Sequence, residues 1–356
     1  MAGILERYRK FYDFADDFPI ISLNEGNTPL IPAPRVAEEV SRLSGKKGLK
    51  VFLKFEGLNP TGSFKDRGMT YAVSKAVADG HTHIICASTG NTSAAAAAYG
   101  ARAGLKTLII LPGGKVALGK LSQAIMYGAS IVEIDGNFDQ ALDIVRALGE
   151  TGKVCIVNSI NPYRLQGQKT GAFEVCDVLG EAPDDLYIPV GNAGNITAYW
   201  MGFKEYADKG ITTKRPRMCG YEAEGSAAIV LGKKIEKPET LATAIRIGNP
   251  ASWQPAEAAR DESGGRIDYV SDPQIVKAYQ FLAGKEGVLC EPSSAASVAG
   301  LFKAAELDQV KENSTIVCVL TGNGLKDPDS AIQYGTPERA SLPADADKVA
   351  AFFNLK

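Results

Sequence analysis

Residues 82–111 read THIICASTGNTSAAAAAYGARAGLKTLIIL, and this stretch decides the fold class. Thr82 to Ala87 is a short apolar run, Ser88 to Ser93 a polar turn, Thr92 to Ala103 has helical character, and Lys106 to Leu111 is apolar again. Strand, turn, helix and strand in that order make the repeating unit of a parallel sheet. The rhythm extends outward. Strand-like runs recur at Lys50 to Phe55, Ser130 to Ile134, Val154 to Val157, Leu186 to Val190, Arg217 to Tyr221 and Thr315 to Leu320. Helical stretches lie between most of them, at Asp66 to Asp79, Gly119 to Tyr127, Asn137 to Gly149 and Gly194 to Ala207. The strands are continuous apolar runs rather than alternating ones, which predicts an α/β fold with helices on both faces of a mostly parallel, twisted sheet. Only Glu222 to Asp272, rich in Gly, Pro, Lys and Glu, breaks the rhythm and reads as loops with short helices.

A chain of 356 residues exceeds the usual size of one compact core, so two lobes are expected. No linker or repeat separates them, which predicts that the lobes are interwoven. The 39 basic and 41 acidic side chains leave a net charge of −2, with no reason to expect nucleic acid or an anionic membrane as partner. No apolar run approaches the ~20 residues that span a bilayer, and Met1 to Phe18 has no apolar signal core. A cytoplasmic location is expected. The six cysteines form no CxxC pair; Cys86, Cys155 and Cys318 sit in apolar runs, as thiols buried in strands do, and no disulfide is expected. The only histidines, His81 and His83, rule out a HExxH zinc site and leave a Ser-His-Asp triad no other candidates.

In parallel sheets, ligands bind beyond the carboxyl ends of the strands, and four turns there carry chemistry. In Asn59 to Gly68, Ser63 and Asp66 have capping-box spacing, which starts a helix with Lys65 in its first turn. A cation is disfavoured at that end of the helix dipole, which points to an amine wanted neutral and nucleophilic. Ser88 to Ser93 opens a helix with hydroxyl and amide groups, and Ala94 to Ala98 lets it pack closely. Gly191-Asn192-Ala193-Gly194-Asn195 exposes backbone N–H groups at a helix N-terminus, a cradle for a phosphate that stays bound. Thr321, in Leu320 to Asp327, puts a hydroxyl at a strand's end. Taken singly, each has a plainer reading: a solvated lysine, an ordinary polar cap, a simple glycine turn, a polar turn residue. Together they offer an amine for an aldehyde, a cradle for a phosphate, and an amide and a hydroxyl for a ring, the handles of pyridoxal 5'-phosphate. Gly114 to Lys120 fits a nucleotide-binding loop until Leu121, where Ser or Thr should hold Mg²⁺; Gly322-x-Gly324 fails as a dinucleotide fingerprint because Asp327 takes the third glycine position.

The motifs NPTGSFKDRGM, STGNTSAAAAAY, PGGKVALGKLSQAIMYGA, NSINPYRLQGQKTGAFE, PVGNAGNITAYW, ATAIRIGNPASW and LTGNGLKDPD, with EGNTPL near the start, resemble the threonine synthase family, in its shorter bacterial and archaeal form. The resemblance runs from about Leu23 to Asp329. It implies the pyridoxal-phosphate fold of the tryptophan synthase β type. The implied smaller, mobile lobe spans 55–155 on the substrate-carboxylate side. The larger lobe, of 1–54 and 156–356, would hold the cofactor phosphate. It also implies a homodimer that converts O-phospho-L-homoserine and water to L-threonine and phosphate.

By that resemblance Lys65 would join the cofactor aldehyde through its side-chain nitrogen and act as general base, with Phe64 beside the ring. Asn91 would meet the ring's 3-hydroxyl oxygen, Gly191, Asn192, Ala193, Gly194 and Asn195 the cofactor phosphate, and Thr321 the ring nitrogen. Ser88, Thr89, Asn91 and Thr92 would bind the substrate carboxylate, and Asn158, Ser159 and Arg164 its phosphate. Arg suits that last task because its planar fork pairs two phosphate oxygens; Lys115 and Lys120 could add charge. Asn323 stands where the family is expected to have histidine, which puts a proton-shuttling role there in doubt. The alternative is a serine/threonine dehydratase, which has no use for a second phosphate pocket.

Overall fold

The structure, a computed structural model, describes residues 2–113, 118–335 and 337–355. Ten strands stand among them: β1 (Leu30–Pro32), β2 (Lys50–Phe55), β3 (His83–Ala87), β4 (Lys106–Pro112), β5 (Ser130–Ile134), β6 (Cys155–Ile156), β7 (Asp185–Pro189), β8 (Arg217–Ala223), β9 (Arg266–Val270) and β10 (Thr315–Leu320). They form a six-stranded sheet in the order β1-β2-β10-β7-β8-β9 and a four-stranded sheet in the order β5-β4-β3-β6. All neighbours are parallel except β1, which is antiparallel to β2. The small sheet is an insertion between β2 and β7, and β10 returns from the far end of the chain to lie between those two.

Strand alternation explains the layers. Along β10, Ile316, Cys318 and Leu320 enter one core while Val317 and Val319 enter another on the opposite face. Ile84 and Cys86 of β3 likewise face one cluster, Ile85 and Ala87 another. A side-chain period of two puts successive residues on opposite faces, so a strand covered on both sides must be apolar at every position. Each fully buried Val, Leu or Ile adds about 1.5–3 kcal/mol over an exposed one. The helix Asn91–Arg102 packs close because Ala94 to Ala98 are all buried, and its Gly100 leaves no room for a Cβ, which would lie 2.1 Å from Thr107 Oγ1.

Three local expectations change. Ser63 and Asp66 form no capping box: Ser63 Oγ has no hydrogen-bond partner, and Asp66 turns back instead to accept from Thr61 N at 2.7 Å and Thr61 Oγ1 at 2.5 Å. The stretch 222–272 holds a ten-residue helix, Trp253–Glu262, and the edge strand β9. In β9 four of five residues are only half-buried and polar residues are mixed in, so it lacks the apolar run that marks the inner strands. All six thiols are free, but Cys155 is only half-buried, because β6 is a two-residue edge strand.

Candidate functional site

Three of the four turns end strands β3, β7 and β10, the fourth follows β2, and all four line one cavity of about 770 Å³ between the two sheets. Lys65 is the first residue of the helix Lys65–Ala78 and lies on the cavity wall. Its Nζ sits 4.3 Å from the centre of the Phe64 ring. Burial, aided by the Arg164 guanidinium and opposed by the Glu291 carboxylate, pushes the amine down to about 7. A cation is the form this place disfavours, and burial rather than the helix dipole is the largest cause. The backbone behind it is pinned: Phe64 N donates to Thr321 O at 3.0 Å, joining the end of β10 to the root of the lysine helix.

Ser88, Thr89, Asn91 and Thr92 line the cavity where β3 gives way to the helix starting at Asn91. Ser88 Oγ accepts from Gly90 N at 3.2 Å, which shapes the turn. Asn91 Nδ2 donates to the Glu291 carboxylate, 3.0 Å from each oxygen.

The glycine cradle after β7 lines the same cavity. Ala193 has φ 62°, a left-handed conformation that costs a non-glycine residue of order 1 kcal/mol and turns the chain sharply into the helix Gly194–Asp208. Gly191 must be glycine, since a Cβ would lie 2.8 Å from Ile245 Cα. Asn192 Oδ1 accepts from Ala251 N at 2.6 Å, so that side chain braces the loop above. Asn195 is 8% exposed, and neither its Oδ1 nor its Nδ2 has a partner. Two orphaned buried amide atoms at the start of a 15-residue helix are what an anion and its hydration would satisfy.

Thr321 Oγ1 lies 3.0 Å from Ser294 Oγ, and Ser294 Oγ also accepts from Gly322 N at 2.9 Å. Asn323 lines the cavity, but its side chain accepts from Leu325 N at 3.0 Å and donates to Gly57 O at 3.2 Å, a bracing task with no titratable proton.

The expected substrate-phosphate residues divide. Asn158 and Ser159 line the cavity, whereas Arg164 does not. Both amide atoms of Asn158 bond the backbone of Ala87, each at 3.0 Å, so the side chain extends the β3 ladder. Arg164 is 1% exposed; Nη1 donates to Val157 O at 3.1 Å, while Nε and Nη2 have no partner. Its helix, Pro162–Gln168, packs so tightly on the lysine helix that a Cβ on Gly167 would lie 1.9 Å from Arg67 O, and this draws the arginine beneath the wall. Burial lowers its guanidinium to about 10. Lys115 and the side chain of Lys120 lie outside the described residues.

The donor set fits pyridoxal phosphate: an amine poised for an aldehyde, an anion cradle with one orphaned amide, and a hydroxyl on the same cavity. The family model described as pyridoxal-phosphate dependent enzyme matches residues 21–322. A threonine synthase of Halalkalibacterium halodurans is 60% identical over 96% of this chain and 95% of its own. One of Synechocystis is 59% identical over 98% of this chain and 90% of its own. The chain belongs to the pyridoxal-phosphate-dependent enzymes, in the threonine synthase group. Among solved structures, maize serine racemase superposes with a TM-score of 0.74 over 94% of this chain and 97% of its own at 22% identity, a likeness of fold.

Within this pyridoxal-phosphate framework, sequence reasoning passed over four groups. Lys54, Glu56, Arg67 and Glu174 form a fully buried ion network centred on Arg67 of Lys65's own helix. Lys54 and Glu56 flank Phe55 at the end of the apolar run 51–55, and charges in such a run are a signal in hindsight. Glu291, 7% exposed, faces the cavity from just before the helix Pro292–Glu306. Lys326 reaches across to Thr61 O at 2.7 Å and to Gln123 Oε1; burial lowers its amine. Ser294 sits in a run of small residues that carries no sequence signal. Among the described residues no cluster could hold a metal, and no helix is long and apolar enough to cross a membrane.

Proposed function

We propose that this chain converts O-phospho-L-homoserine and water to L-threonine and phosphate, with Lys65 as anchor and general base. The observation that carries the reading is the Lys65 amine, pushed down to about 7 and set among the four turns of one cavity. Pyridoxal phosphate, when bound, supplies an aldehyde that captures an amine and a ring that takes up the electron pair left by a departing proton. Everything else falls to the protein. Gly191 to Asn195 hold the cofactor phosphate, Phe64 lies by the ring, Asn91 meets its oxygen substituent, and Thr321 faces its nitrogen. A hydroxyl there, unlike a carboxylate, does not force that nitrogen to stay protonated. Ser88, Thr89 and Thr92 bind the substrate carboxylate at a helix N-terminus.

Asn158, Ser159 and Arg164 take the substrate phosphate. Arg164 lies beneath the wall, and its unpartnered Nε and Nη2 become two donors for two phosphate oxygens once the substrate's binding draws the cover aside. Lys65 removes a proton from the substrate's α-carbon and later returns one there; an amine titrating near the working pH serves both directions. Residues 55–155 act as the smaller lobe and carry the carboxylate turn; 1–54 and 156–356 form the larger. In keeping with the family resemblance, the protein works in the cytoplasm as a homodimer, which light scattering checks.

Purified protein given pyridoxal phosphate and O-phospho-L-homoserine should release phosphate and L-threonine in equal amounts. Release of ammonia and a keto acid without threonine would replace this reading with a dehydratase. Lys65→Ala should abolish turnover and the absorbance of the lysine-bound cofactor, and Arg164→Ala should raise the KM for phosphohomoserine by an order of magnitude or more.

A further inference from the structure

Glu291 and Asn91 stand 200 positions apart in the chain and meet across the cavity. The glutamate's backbone N–H donates to Gly322 O at 3.0 Å, which fixes its loop to the end of β10. Its carboxylate makes no capping bond to the helix that follows. A Cβ at Gly322 would lie 2.3 Å from Oε2, so glycine there is what lets the carboxylate reach over the end of β10. Asn91 Nδ2 lies 3.0 Å from both oxygens.

A carboxylate can only accept hydrogen bonds, whereas an amide has a donating and an accepting end. The contact therefore decides which way the Asn91 amide points. Turned over, it would set Oδ1 against two carboxylate oxygens. We propose that Glu291 is a positioning residue: it locks the Asn91 amide so that a defined N–H is offered to the ring's oxygen substituent, and it sets a negative charge in the cavity shared with the Lys65 amine. This rests on the reading of Asn91 and Lys65 given above.

The charges bearing on the lysine are few. Arg164, from the helix beneath, disfavours its proton, and Glu291, from the loop before Pro292, favours it. Lys326 faces Glu291 from the segment after β10, and Asp327 also lines the cavity. Removing the Glu291 charge leaves the Arg164 field unopposed at the lysine nitrogen.

The test uses holoenzyme carrying Glu291→Gln, Glu291→Asp, Asn91→Ala and the double change Glu291→Gln with Asn91→Ala. Glutamine keeps the shape but accepts either face of the amide. Glu291→Gln should lower the pH midpoint of the lysine-bound cofactor's absorbance by about one unit and weaken cofactor binding about ten-fold. Glu291→Asp should recover part of both. The double change should bind the cofactor no more weakly than Asn91→Ala alone, since Glu291 acts on binding through Asn91. The unfolding midpoint of the cofactor-free protein should stay unchanged. An unmoved absorbance midpoint, additive losses of binding, or a fall in the cofactor-free unfolding midpoint that accounts for the binding loss would each overturn the proposal. If Asn91→Ala itself leaves cofactor binding intact, the role given to Asn91 fails and this proposal with it. If Asn91→Ala weakens binding and Glu291→Gln does not, only this proposal fails.

Discussion

Arg67 Nη2 lies 2.6 Å from Glu174 Oε2, where neither side chain is more than 2% exposed, two residues beyond the lysine that faces the cavity. The same guanidinium holds Glu56 through Nε at 2.6 Å and Thr170 through Nη1 at 3.1 Å. Lys54 closes the set on Glu174 at 2.7 Å. Two cations meet two carboxylates, so the buried charge cancels and every strong donor has an acceptor. The network ties β2, the lysine helix and the helix Thr170–Leu179 together.

Arg67→Met should therefore destabilise the protein by about 3–5 kcal/mol in denaturant unfolding at neutral pH, because two carboxylates lose their main partner. In the native protein Glu174 and Glu56 are held below the usual carboxylate range; opposed by burial, the cause is chiefly Arg67, with Lys54 adding to it. A depressed carboxylate stabilises above its unfolded value, about 4.3, and loses that contribution as pH falls through the folded value. The native protein should keep this contribution in full down to about pH 5, and the gap to the variant should narrow below that pH as the orphaned carboxylates take up protons.

The Lys65 amine carries the opposite sign. Its folded value, about 7, lies below its unfolded value, so the unfolded chain binds the proton more tightly between the two. Stability of the cofactor-free protein should rise with pH from 7 toward about 10.4. Lys65→Met should stabilise the cofactor-free protein by a few kcal/mol at pH 6, on the order of 1.4 kcal/mol for each pH unit of displacement, and by much less at pH 10. Unfolding curves at the two pH values check this.

Two neighbouring glycines of the cradle should behave differently. Gly191→Ala forces a Cβ to 2.8 Å from Ile245 Cα, a backbone atom that cannot step aside, whereas a Cβ on Gly194 meets Leu165 Cδ2 at 3.4 Å, an ordinary contact. In the cofactor-free protein Gly191→Ala should cost about 1–3 kcal/mol, and Gly194→Ala should cost less than about 0.5 kcal/mol.

Gly167→Ala tests how the two helices behind the cavity set the lysine's position. The added methyl would lie 1.9 Å from Arg67 O and 2.8 Å from Arg67 C. The helices must separate, at a cost of about 1–3 kcal/mol or more. Cofactor affinity should fall while far-ultraviolet circular dichroism stays near that of the native protein.

The inner strands were legible because burial on both faces writes itself as an unbroken apolar run, as in TIVCVL over Thr315 to Leu320. β9 was not, because an edge strand needs no such run. The turns at Ser88 and Gly191 were legible because both follow apolar strands of a parallel sheet, at the end where ligands bind, and together they offer complementary groups. The Ser63–Asp66 pair misled: the spacing of a capping box is local, but Asp66 found its donors on Thr61, and nothing in the spacing reveals which partner wins. Arg164 has the right chemistry in sequence, yet its depth under the wall comes from a glycine contact between two helices. Glu291 was invisible for the same kind of reason, since its role exists only once residues 91 and 291 are brought together.

The order of strands in the large sheet bears on how the protein is born. β10 fills the gap between β2 and β7, and it is made last of the ten. A nascent chain leaving the ribosome can pair β3 through β6, which are contiguous, and β7 with β8 and β9. It cannot join these to β2 until residue 320 has emerged. Contacts of such long range slow folding, and meanwhile they leave the edges of β2 and β7 open to strangers. Release of a chain stopped between Val270 and Thr315 should thus yield aggregates, with the four-stranded sheet paired and the six-stranded one still split.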